Sequence, residues 1–64
     1  MTPDEFREAR RKLGLSQQQL AELFRVQSGR TVRRWENGER DIPGPAQVLL
    51  AIFAAHPELL AHAA

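Results

Sequence analysis

Arg30, Arg33, Arg34 and Asn37 stand in one short stretch, and their side chains are suited to gripping nucleic acid. On a helix turning about 100° per residue they share one face, opposite Val32 and Trp35. An arginine fork donates two hydrogen bonds to a phosphate or to the O6/N7 edge of guanine, so several on one exposed helical face suit a DNA-reading surface. Arginine clusters on helices are more commonly solvated charge, and surface pairing of Arg33 or Arg34 with Glu36 or Glu39 is the plainer alternative. Trp35 has the spacing of a core anchor, not of a base-stacking residue, and its indole N–H then needs a partner.

Other chemistries have little support. The chain has no cysteine and no tyrosine. His56 and His62 are separated by a proline with only Glu58 near them, which is poor metal-site geometry. Ser16 and Ser28 read as helix caps, and there is no glycine-rich phosphate loop. No nucleophile and base stand together, so an enzyme, a metal site and a cofactor are not expected, and no small-molecule ligand is evident.

The helix carrying the arginines needs supports, and the flanking sequence supplies them. Thr2-Pro3 with Glu5 is a capping box with proline at the first helical position, predicting a helix from about Pro3 to Leu13. Phe6, Ala9, Arg10 and Leu13 recur along it. Asp4 and Glu5 in its first turn and Arg10, Arg11 and Lys12 in its last complement the helix dipole, and Gly14 offers a left-handed stop. Ser16 with Gln19 repeats the box, so a second helix starts at Gln17 and turns Leu20, Ala21, Leu23 and Phe24 inward. Small Ala21 allows a close helix crossing. A third helix starts near Gln27 or Ser28 and stops at Asn37-Gly38.

Ile42 is expected to tuck against the core from the following loop. Gly44-Pro45 opens a fourth helix with apolar residues on more than one face, and a final short turn carries Leu59 and Leu60 before an Ala-His-Ala-Ala tail expected to fray. The fold class is therefore all-α, a compact domain of four to five short helices, with residues 1–64 as one domain. At 64 residues such a domain is marginal by itself. Net charge is only +1, but eight of the nine basic residues are arginine. No apolar run reaches the roughly 20 residues of a membrane span and no signal peptide is apparent, so a reducing cytoplasm is the expected location.

The segment Ser16-Gln-Gln-Gln-Leu-Ala-Glu-Leu-Phe24, a turn, and Arg30-Thr-Val-Arg-Arg-Trp-Glu-Asn-Gly38 resembles the helix-turn-helix of the Xre family, the phage repressor and Cro-like DNA-binding domains. The resemblance covers roughly Thr2 to Phe53, with the helix-turn-helix at about residues 16–38. The chain departs from the family in having Arg25 where members usually have glycine, and a turn one residue longer, which Gly29 is expected to absorb by adopting positive φ. The resemblance implies that the third helix enters the major groove while the start of the second meets the backbone. Carried over by position, Arg30, Arg33 and Arg34 are the expected base contacts. Gln17, Gln18, Thr31, Asn37 and Arg40 are the expected backbone contacts.

The function implied is a sequence-specific DNA-binding transcriptional regulator, a repressor or autoregulator on an inverted-repeat operator in double-stranded DNA. It would act as a homodimer through the fourth helix and the C-terminal Leu59 and Leu60. The alternative is an antitoxin-like or phage or mobile-element protein-interaction module for which DNA binding is secondary.

Overall fold

The structure, a computed structural model, describes residues 1–63. Five α-helices follow one another: α1 (Pro3–Lys12), α2 (Gln17–Phe24), α3 (Gly29–Glu36), α4 (Gly44–Ala55) and α5 (Leu60–Ala63), with a 3₁₀ turn at Pro57–Leu59. No strand occurs among the described residues, so the all-α expectation holds.

Both capping boxes form. Thr2 Oγ1 accepts from the Glu5 N–H at 3.1 Å while Glu5 Oε1 accepts from the Thr2 N–H at 2.7 Å. Ser16 and Gln19 repeat the exchange at 3.0 and 2.8 Å. These bonds satisfy N–H groups that a helix start leaves unpaired, and fix where α1 and α2 begin. The helix α1 ends at Lys12 with Leu13 as its C-cap, and Gly14 then takes φ 72°. Ala61, His62 and Ala63 continue as α5 where a frayed tail was expected; Ala64 lies outside the described residues.

The core joins Phe6 of α1, Leu20 and Ala21 of α2, Val32 and Trp35 of α3, and Ala46 and Leu50 of α4. Phe6 and Trp35 meet edge to face, with ring centroids 5.9 Å apart. Each large apolar side chain removed from water contributes about 1.5–3 kcal/mol, so α3 is held chiefly through Val32 and Trp35. Ile42 packs against this cluster from the loop before α4, as its apolar character predicts.

The crossing of α2 and α3 is close, and its glycine works differently from the expectation. Gly29 does not take positive φ; the left-handed residue of the turn is Arg25, at φ 59° and ψ 33°. Gly29 is instead the point of contact. A Cβ there would lie 3.0 Å from the Gln18 backbone nitrogen and 3.1 Å from its Cα. Gln18 Oε1 accepts from the Gly29 N–H at 3.0 Å, fastening the start of α3 to α2.

Candidate nucleic-acid interface

The start of α3 is set by Ser28, whose backbone is extended and whose Oγ accepts from the Arg30 N–H at 3.2 Å. This places the N-cap at Ser28 and leaves Gln27 in the turn. At the other end the Asn37 N–H donates to the Arg33 carbonyl at 2.9 Å, and Gly38 takes φ 76°. The N–H groups of Glu39 and Arg40 both donate to the Arg34 carbonyl, at 2.9 and 3.3 Å. The chain after α3 is thereby folded back so that Arg40 returns beside the helix.

Val32, Trp35 and Glu36 face inward, while Arg30, Arg33, Arg34 and Asn37 are exposed and Thr31 is half-buried at the side. The surface pairing considered for Arg33 and Arg34 does not form. The ion pairs of α1 are Arg7 with Asp4, Arg7 and Arg10 with Glu36, and Arg11 with Glu8. Among the described residues no carboxylate lies within 4.0 Å of the charged groups of Arg25, Arg30, Arg33, Arg34 or Arg40. The division is a physical one: the arginines of α1 are engaged in ion pairs, and those of α3 and its flanks have no carboxylate partner among the described residues.

Glu36 is the hub that fixes this face. Its side chain is fully buried. Arg10 Nε donates to Glu36 Oε2 at 2.7 Å and Nη2 to Oε1 at 3.0 Å, a two-pronged pair, while Arg10 Nη1 donates to the Leu15 carbonyl at 2.9 Å. Gln17 Nε2 adds a bond to Glu36 Oε1 at 3.0 Å, and Arg7 Nη2 donates to the Glu36 carbonyl at 3.0 Å. Burial pushes the Glu36 carboxyl up, but the hydrogen bonds from Arg10 and Gln17 and the charges of Arg10 and Arg7 outweigh it and hold the group below its ordinary value. One carboxylate at the end of α3 thus ties together α1, α2 and α3. Its signal in the sequence is its place four residues after Val32, on the same helical face.

The backbone-contact candidates are arranged accordingly. The Gln17 amide points at Glu36 and the Gln18 amide is engaged by Gly29 and, at 3.4 Å, by Glu22. What these two residues offer a phosphate is therefore their own backbone N–H groups in the first turn of α2, where the helix dipole favours an anion. Thr31, Arg34 and Arg40 line one cleft together with Gln27. Arg30, Arg33 and Arg34 line a second with Glu39. Gln27 and Glu39 line these clefts beside the expected contact residues.

The remaining surface is quieter. No group of histidine, aspartate or glutamate side chains suited to a metal forms among the described residues. Among the described residues no helix is long and apolar enough to cross a membrane. Val48, Leu49, Ile52 and Leu59 are exposed, and Leu60 is half-buried.

Two helices locked by a capped turn, the second presenting free arginines and both backed by a shared core, define a helix-turn-helix DNA-binding domain. The comparison with known families agrees: the helix-turn-helix profile matches residues 6–51, and the chain belongs to that family in its Xre-like form. The chain is also similar to the antitoxin HigA-2 of Vibrio cholerae serotype O1, at 38% identity over 65 aligned positions spanning the whole chain. It covers 61% of that relative's length. No solved structure matches.

Proposed function

We propose that the protein is a sequence-specific transcriptional regulator that represses or autoregulates by covering an inverted-repeat operator. The observation that carries this reading is the set of unpaired arginines on the exposed face of α3, held in place by the buried Arg10–Glu36 pair. Arg30 and Arg33 approach base edges in the major groove, where each bidentate contact to guanine discriminates by about 1–3 kcal/mol. The first turn of α2, Asn37 and Arg40 hold the backbone on either side. Residues 1–64 act as one domain, and two copies pair through α4 and the Leu59–Leu60 segment, placing their α3 helices about 34 Å apart, one turn of DNA. No step of this action requires a catalytic group. Selection of bound sequences from a random duplex pool tests it: one palindromic motif is the expected result, and no enrichment would overturn it.

A second reading is supported by the likeness to an antitoxin. In it the protein neutralises a partner protein and uses its helix-turn-helix to regulate its own operon. The apolar Val48, Leu49 and Ile52 of α4 are then the surface offered to a protein. Expression with and without the neighbouring gene product separates the two: rescue of growth arrest by this chain and by its Arg30→Ala/Arg33→Ala variant alike favours the antitoxin reading.

A further inference from the structure

The two clefts beside Arg34 differ in one respect that decides what each can hold. The cleft of Arg30, Arg33, Arg34 and Glu39 contains a carboxylate, which repels a phosphate but accepts from the amino group of cytosine while arginines donate to guanine. The cleft of Gln27, Thr31, Arg34 and Arg40 contains no acid; it offers two guanidinium groups, an amide and a hydroxyl, all able to donate. Its shape does not depend on loose side chains alone. The left-handed Gly38 and the paired donation of Glu39 and Arg40 N–H groups to the Arg34 carbonyl fold Arg40 back to the helix turn that carries Arg34.

We propose that the Gln27–Thr31–Arg34–Arg40 cleft binds one DNA backbone phosphate, and that Arg34 serves as a phosphate ligand rather than a reader of bases. This rests on the DNA-binding reading and adds an orientation to it: the flank of α3 bearing Thr31 and Arg34 faces the sugar-phosphate strand, and the flank bearing Arg30 and Arg33, with Glu39 beside it, faces the bases. Gln27, in the turn, becomes part of the grip on the backbone.

The test is the salt dependence of binding to a mixed-sequence 20-base-pair duplex, for the wild type, Arg34→Ala/Arg40→Ala and Arg34→Lys/Arg40→Lys. Each neutralised phosphate contributes about 0.9 to the slope of log K against log salt. One shared phosphate predicts that the alanine double variant loses about 0.9 of slope and that the lysine variant, which keeps the charges, regains it. A loss of about 1.8 means two separate phosphates, and an unchanged slope means none; either overturns the proposal. A flat response of the wild type overturns the DNA-binding reading itself, so the two failures are told apart. On a panel of operator variants, Arg34→Ala should weaken all of them by one common factor, whereas a loss confined to one base position would return Arg34 to base reading.

Discussion

Replacing Arg10 by methionine should remove about 3 kcal/mol of stability. The substitution keeps an unbranched apolar stem but deletes both bonds to Glu36, at 2.7 and 3.0 Å, and the bond to the Leu15 carbonyl. Glu36, whose side chain is fully buried, is then left without its main partner. Breaking a buried pair from one side costs about 3–5 kcal/mol, and the low end applies because Gln17 and Arg7 still reach the carboxylate. At about 0.05–0.15 kcal/mol per residue, a chain of 64 residues holds about 3–10 kcal/mol in total, so the loss takes a large share of it. The double variant Arg10→Met/Glu36→Leu removes both charges at once. It should return to within about 1 kcal/mol of wild type, since Arg7 and Gln17 are partly exposed and can turn to water. Urea unfolding followed by far-ultraviolet circular dichroism measures the wild type, Arg10→Met, Glu36→Leu and the double variant. A loss below about 1 kcal/mol in Arg10→Met, or a double variant that loses the sum of the two single losses, would refute the account of Glu36 as a buried hub.

Gly29→Ala should destabilise by about 1–3 kcal/mol, read in the same unfolding assay, because its Cβ would press on the Gln18 backbone, which cannot swing aside. Arg25→Gly should stabilise by about 0.5–1 kcal/mol, since glycine relieves the left-handed backbone at φ 59°; no gain would show that the Arg25 side chain offsets the strain. The Glu36 carboxyl is held below its ordinary value, so it contributes stability above its unfolded value of about 4.3, and that contribution is lost as the pH falls through the lower folded value. Stability measured from pH 6 to pH 2 should therefore drop at the acid end, and Glu36→Gln, though less stable at pH 6, should show a smaller drop.

Much of this fold was legible because its boundaries are written locally. Thr2 with Glu5 and Ser16 with Gln19 are capping boxes whose partners sit three residues apart, and Gly14 and Gly38 mark left-handed stops, so each signal lies within one turn of the structure it sets. Val32 and Trp35 declared the inner face of α3 by spacing alone. The interior of the site was harder to read because its bonds span the chain. Arg10 and Glu36 stand 26 residues apart, and a glutamate beside two arginines suggests a surface pair until burial shows otherwise. The turn misled for a related reason: Gly29 suggested backbone freedom, but its lack of a side chain serves the approach to Gln18, 11 residues earlier, while the strained position fell to an arginine. Local rules name the residue that permits a conformation; only packing shows which residue needs it.

The central claim is that Arg30 and Arg33 of α3 read base edges, and the most direct measurement is sequence selection from a random duplex pool, run in parallel for the wild type, Arg30→Ala and Arg33→Ala. The account predicts a palindromic motif for the wild type, with preference lost at one position per half-site in each variant and the other positions kept. The same motif from all three proteins would contradict it.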